Sequence, residues 1–376
     1  MMKAIIKATT LSKKTTKKHE EKPRKPRMLA PRYGIAEWFG KDVSTMSTEE
    51  RLAFGELAMR QIEAEKGVVV DAPQCPFLST LIAGARCNKR GGVCSFRKFA
   101  YGVDGVATTV ESDKVVTACP SRFIQEVADG KTIFAWISEK MLDTTSPIIV
   151  KETPFLRKIS DLLQPLETKI DSQIAEDVAE EAEDEKKAGR IDWILVNPNS
   201  MNSSDLDWCA VETQALYFSG DKMELEFAAH SKNPNTLLFP TGKRRPDYRS
   251  SGPKRLSPQL DVKVPVLRNW GKKVVIVIDR YFFENMNRLD DSYSRAKDDR
   301  ARRDNAEIIW FIVDYDDEMR LRAGDIIYTT LESSRKALNA TEPLSKVDFT
   351  NNLKAVINRV SRGNKVFRAS KSEALE

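Results

Sequence analysis

Four of the chain's five cysteines, Cys75, Cys87, Cys94 and Cys119, fall between residues 75 and 119, and no other feature restricts the fold so sharply. Turn-forming residues attend them, in Cys75-Pro76, Gly91-Gly92-Val93-Cys94 and Cys119-Pro120. Tight turns free the local backbone to aim thiolates at a shared centre, and four thiolates in a tetrahedron suit Zn²⁺ or iron. The spacing is not C-x-x-C, so two disulfides and four unlinked buried thiols stand as alternatives. The sequence does not mark the chain as secreted, and cytosolic thiols stay reduced, which weighs against the disulfides. Clustering weighs against unlinked thiols. Cys209 stands apart in an apolar segment and reads as a small core residue.

With 376 residues the chain is long enough for about two domains. Hydrophobic residues make up 41% and charged residues 31%, the balance of a soluble protein with a true core. No apolar run is long enough to span a bilayer, and Lys and Thr occupy the place a secretory apolar block would need, so a cytoplasmic location is expected. The net charge of +6 favours polyanions. Much of it lies in an N-terminal run, Lys13, Lys14, Lys17, Lys18, Lys22, Arg24, Lys25, Arg27 and Arg32, which reads as a solubilising tail or a non-specific DNA-binding arm. Only two histidines occur, His19 in the tail and His230 alone. That excludes much histidine-based hydrolysis, so a chain of this kind that cuts phosphodiesters must hold its metal with carboxylates.

Globular pattern begins near Tyr33-Gly34-Ile35-Ala36-Glu37-Trp38-Phe39-Gly40. Ser47 followed at the third position by Glu50 is a capping-box pattern. It predicts a helix to about Glu65, with Leu52, Phe54, Leu57, Ala58 and Ile62 on the apolar side. Residues 71–123 read as loop, Lys131–Ser138 as strand, and 154–188 as helix ending in an acidic solvated run, Glu176–Glu185. Strands are predicted at Ile191–Val196, Trp208–Phe218, Val274–Phe283 and Ile308–Tyr315, with loop across 231–259 and a last helix at about Asn351–Val360 before a basic tail.

Asp192 lies in an otherwise apolar strand, where burying a charge is costly without a partner. Twenty residues on, Glu212 and Gln214 sit two apart, the spacing that puts strand residues on one face. An Asp followed by Glu-x-Gln on a neighbouring strand has the shape of a PD-(D/E)xK nuclease site with Gln in the last position. Asp192 and Glu212 would offer hard oxygens to Mg²⁺, and the Thr213 carbonyl could add another. Gln214 would orient a water by hydrogen bonding, without charge.

Several blocks together resemble the NotI restriction endonuclease family. Cys75-Pro76-Phe77-Leu78, Cys87, Arg90-Gly91-Gly92-Val93-Cys94 and Cys119-Pro120-Ser121-Arg122 are similar in order and approximate spacing to its four-cysteine motif. Ile35–Gly40 resembles the segment before that motif, Asp192-Trp193 and Val211–Gly220 its catalytic strands, and Ile309–Val313 a late strand. The blocks span most of residues 33–335. The resemblance implies catalytic Asp192, Glu212 and Gln214, with Mg²⁺ on Asp192, Glu212 and Thr213, and iron on Cys75, Cys87, Cys94 and Cys119. It further implies a homodimer that cuts double-stranded DNA at a GC-rich palindrome, with a cognate DNA methyltransferase in the same system. The tail is longer here than the family pattern, and the loop Thr241–Arg255 matches it loosely, which bears on the target sequence.

The expected fold is therefore α/β: a mixed-sheet, restriction-endonuclease-like core with an N-terminal four-cysteine metal domain. The expected divisions are a basic tail at 1–31, a metal-binding domain at 32–130 and a nuclease domain at 131–376. Base-reading candidates are Lys243, Arg244, Arg245, Arg249, Lys254 and Arg255. Three rival readings are a non-catalytic, metal-stapled DNA-binding protein, a nicking repair nuclease of the same fold, and a purely structural metalloprotein. The first predicts that Asp192 and Glu212 do not converge, the second a monomer, and the third no converging basic surface.

Overall fold

Capping side chains and β-branched runs set the elements of the computed structural model, which describes residues 29–64, 72–102, 105–110, 114–128, 130–156, 189–339 and 344–358. Strand β1 (Arg32–Trp38) starts an antiparallel sheet ordered β2-β1-β3-β4, with β2 at Lys41–Asp42, β3 at Val93–Tyr101, β4 at Ala107–Thr109, and β5 (Val116–Thr117) on β3. The nine-residue β3 lies inside the stretch expected to be loop; its Phe96 and Phe99 are core residues that the surrounding Gly and Cys obscured. Helix α1 (Thr48–Glu63) has the full capping box, Ser47 accepting from Glu50 N and Glu50 accepting from Ser47 N. Leu57 and Ala58 are buried as expected, but Leu52 faces solvent.

After a short ribbon of β6 (Glu126–Ala128) and β7 (Lys131–Thr132) comes α2 (Ile133–Leu142), where a strand was expected. Thr132 accepts from Ala135 N at 3.2 Å and caps the helix, and Ile133, Phe134, Trp136, Ile137, Met141 and Leu142 bury with helical period. A short apolar run is ambiguous by pattern alone, and here the cap decides.

Three strands then lead into the main sheet: β8 (Ile148–Pro154), β9 (Arg190–Val196) and β10 (Trp208–Thr213). The expected strand Trp208–Phe218 is broken at Gln214. Gln214 N still bonds Val277 O, but Leu216 N turns to Thr117 O, and β11 (Tyr217–Gly220) pairs in a separate ribbon with β12 (Arg244–Asp247). Between them lies α3 (Glu224–Lys232), which packs closely on α1. Gly55 permits that approach: a Cβ there would stand 2.9 Å from Ser231 N. Beyond β12, the expected loop continues instead as a helical turn, Tyr248–Ser251, capped by Asp247, then a π turn, Gly252–Leu256, and helix α4 (Ser257–Asn269). Strands β13 (Val274–Asp279), β14 (Ile308–Tyr315) and β15 (Leu321–Thr329) complete the six-stranded sheet, ordered β15-β14-β13-β10-β9-β8. The expected strand Val274–Phe283 ends at Asp279, whose carboxylate accepts from Phe282 N at 2.7 Å and starts a helical turn.

Strands β10, β13 and β14 run parallel and the other pairs antiparallel. Both faces of these central strands are covered, so they read as unbroken apolar runs. One core layer joins Ile35, Trp38 and Phe96 to Ile276, Trp310 and Ile312, and thus runs without interruption across residue 130. The opposite layer joins Phe134 and Ile137 of α2 to Trp193, Val275 and Phe311. No helix among the described residues is long and apolar enough to cross a membrane. The basic tail up to residue 28, the acidic run Glu176–Glu185 and the basic C-terminus lie outside the described residues.

Candidate active site

The antiparallel register of β9 and β10 runs to Val211 opposite Trp193, so Glu212 and Asp192 are the next residue along each strand beyond the last pair. Asp192 Oδ2 reaches across to accept from Thr213 N at 3.1 Å and from Thr213 Oγ1 at 3.4 Å. Burial pushes the Asp192 carboxyl above its ordinary range, against the lowering effect of that backbone bond. Glu212 is buried, and burial, followed by repulsion from Asp192, pushes it up to about 8. The charge of Asp192 thus bears directly on Glu212. Gln214 lies past the strand end, so its position rests on the turn rather than on strand alternation; it nevertheless lines the same cleft as Asp192, Glu212 and Thr213. Its side-chain amide donates to Ala215 O at 2.6 Å.

Two further charged groups join this constellation, and sequence reasoning missed both. Lys263, on α4, is only 1% exposed, and its Nζ donates to Glu212 Oε1 at 2.6 Å and to Gln259 Oε1 at 3.3 Å. Its signal was a lysine in register with Leu260, Val264 and Leu267 on the buried face of a helix that proline and polar residues disguised as loop. Glu152, on β8, lies in the cleft between the register pairs Lys151–Trp193 and Thr153–Ile191, and its charge raises Asp192 further. Its backbone is left-handed, φ 50°, a strained state for a glutamate, and its carboxylate pairs with Lys151 Nζ at 2.5 Å and Arg190 NH1 at 3.6 Å.

The cleft, about 1140 Å³ in volume, is walled by the cationic residues Lys89, Arg90, Lys151, Arg190 and Arg255. At its mouth the Arg255 guanidinium lies 3.6 Å over the exposed Tyr217 ring and donates to its hydroxyl. Lys243, Arg245, Arg249, Lys254 and Arg255 are exposed, as DNA contacts require. Arg244 is not: it is buried, ion-paired with Glu226, and donates to Asp221 O and Lys222 O. Its alternation on β12 turns it inward while Arg245 turns out, so it leaves the set of base-reading candidates.

The four clustered cysteines are neighbours close enough to influence one another's charge, and Cys119 lines the cleft. Cys75 N bonds Ala85 O and Cys87 N bonds Pro73 O across the Gln74–Arg86 bridge, which sets the first two side by side. Cys94 O accepts from both Ala118 N and Cys119 N, which sets the other two together. Lys89 Nζ donates to Ala118 O and ties the loop of Cys87 to the segment of Cys119. Gly92, at φ +64°, makes the turn into β3: a Cβ there would collide with the Phe39 ring, 2.1 Å away. Leu78 N donates to Cys75 Sγ at 3.4 Å, a bond that suits a thiolate. All five cysteines are free thiols. Burial, then the neighbouring Cys119 and Cys75, push Cys87 up to about 11, and burial and Cys119 push Cys94 up as well. Cys209 responds only to burial and Asp207 and takes no part. Among the described residues no group of three or more Cys, His, Asp or Glu side chains is placed so that it could hold a metal ion. The donor chemistry of the four thiols nonetheless fits a soft metal, whose arrival would relieve the cost of burying thiolates.

A family model described as "Restriction endonuclease NotI" matches residues 65–325, which take in all four clustered cysteines, Asp192, Glu212, Gln214 and Lys263. A search of curated proteins finds no match.

Proposed function

Because the chain belongs to the NotI restriction endonuclease family, and is on that ground a type II site-specific deoxyribonuclease, we propose that Asp192, Glu212 and Gln214 form its DNA-cleaving centre. The observation that carries this reading is that Asp192 and Glu212, on adjacent strands β9 and β10 and close enough for the charge of one to bear on the other, line one cation-walled cleft. Two facing carboxylates would be destabilising without a function, since each raises the cost of ionising the other.

Asp192 and Glu212 would hold Mg²⁺, with the Thr213 carbonyl as a third oxygen. When bound, that ion supplies polarisation of the scissile phosphate and a lowered pKa for a water. The chain's own groups do the rest. Arg190, Lys151 and Arg255 draw the DNA backbone into the cleft by charge. The Gln214 amide, released from Ala215 O, orients the attacking water by hydrogen bonding. Arg245, Arg249 and Lys254, beside the cleft's Arg255, supply the hydrogen-bond donors that read base edges. Cys75, Cys87, Cys94 and Cys119 hold iron or zinc as a structural centre, since four protein ligands leave no position for substrate.

Double-strand cutting at a palindrome calls for two such centres related by a two-fold axis, and hence a homodimer. A GC-rich site and a protective methyltransferase complete this reading. The test is incubation of the purified protein with plasmid and Mg²⁺ followed by sequencing of the ends. Double-strand ends sharing one palindromic sequence are expected. Nicks at unrelated sequences from a monomeric protein would overturn the restriction reading in favour of a nicking nuclease.

A further inference from the structure

The cleavage centre lacks a cation where its spacing would allow one. Gln214 is neutral, and a neutral amide cannot offset the charge of two facing carboxylates or the charge that grows on a phosphate under attack. A lysine stands behind the same carboxylates instead. Lys263 enters from α4, 1% exposed, with its ammonium 2.6 Å from Glu212 Oε1. A buried lysine costs several kcal/mol of desolvation. Hydrophobic residues already fill its helix face at Leu260, Val264 and Leu267, so the packing itself asks for an apolar side chain at 263. The ammonium influences Asp192 as well as Glu212, so its field covers the whole pair.

We propose that Lys263 is the positioning cation of the cleavage centre: it fixes Glu212 through Oε1, leaves Oε2 to face the cleft, and cancels one of the two carboxylate charges, the service Gln214 cannot provide. This rests on the reading of Asp192 and Glu212 as the cleavage centre. In a buried setting its charge is poorly screened, so it bears on any charge that develops beside the two carboxylates. The contribution belongs to the chemical step more than to cation binding, because a fixed positive charge competes with a divalent cation for the same carboxylates.

That competition separates the role from a merely structural one. Lys263→Met would strand Glu212 without a partner and endanger folding, so the decisive variant is Lys263→Gln, which keeps a donor for Oε1 and removes the charge. Two readouts are needed: calorimetric titration of the protein with Ca²⁺, and kcat and KM for cleavage of a cognate duplex with Mg²⁺. For Lys263→Gln the expected result is Ca²⁺ affinity unchanged within about threefold or tighter, KM within about threefold, and kcat lower by about 100-fold. Lys263→Arg, which restores a charge, should recover kcat to within about tenfold of wild type. Wild-type kcat in Lys263→Gln would overturn the proposal, and so would Ca²⁺ affinity that falls in step with kcat, the mark of a misplaced Glu212. A failure of the underlying site reading looks different: Glu212→Gln would then cut DNA at the wild-type rate.

Discussion

Glu212 sits where a carboxylate is least comfortable, buried and beside Asp192, relieved by Lys263 and by a hydrogen bond from the Asp192 backbone. Its folded-state pKa, about 8, lies above the ordinary 4.5, so the folded protein holds a proton that the unfolded chain gives up between those values. Linkage then fixes the sign: metal-free stability is full below the unfolded value and falls as pH rises through the folded one. Urea unfolding of metal-free protein at about pH 5 and about pH 8 should show this loss, and Glu212→Gln should reduce it. Equal slopes in the two proteins would mean that Glu212 ionises freely. That Asp192 and Glu212 lie on adjacent strands was legible in the sequence because charge inside an apolar strand is conspicuous, whereas the break that takes Gln214 out of the strand was not. Lys263 and Glu152 were not, because nothing in a linear pattern reveals a partner 51 residues away or a left-handed turn inside a strand.

At the scale of elements, strands β9 and β14 were legible nearly to the residue, since buried central strands are continuous apolar runs with few rivals. Helix α2 and the segment from β12 to α4 were not. In α2 a short apolar run fits either period until Thr132 caps it, and in the second segment charge and proline mask a helix whose buried face is only every third or fourth residue. The same masking hid the fate of Arg244, which on β12 points into the protein toward Glu226 while Arg245 points out. This division makes a paired prediction. Arg244→Ala strands Glu226 and should destabilise the fold by about 3–5 kcal/mol. Arg245→Ala should leave the melting temperature unchanged and weaken DNA binding. A stable Arg244→Ala with weakened DNA binding would return Arg244 to the DNA contacts.

Across the whole molecule, the four-cysteine region and the main sheet share a core layer and a cleft, so loss of a metal from the thiols should reach the active site. Elemental analysis of the purified protein should find about one tightly held iron or zinc per chain. Cys119→Ser should release it, lower the melting temperature and reduce cleavage, whereas Cys209→Ser should keep the metal. Metal-free protein with full activity would remove the centre from the account. The central claim is that Asp192 and Glu212 perform the cut. Its most direct measurement is the single-turnover rate on adding Mg²⁺ to preformed protein–DNA complexes of wild type, Asp192→Asn and Glu212→Gln. Both variants should hold DNA within about threefold of wild type and cut it at least about a thousandfold more slowly; cleavage by either variant at the wild-type rate would contradict the claim.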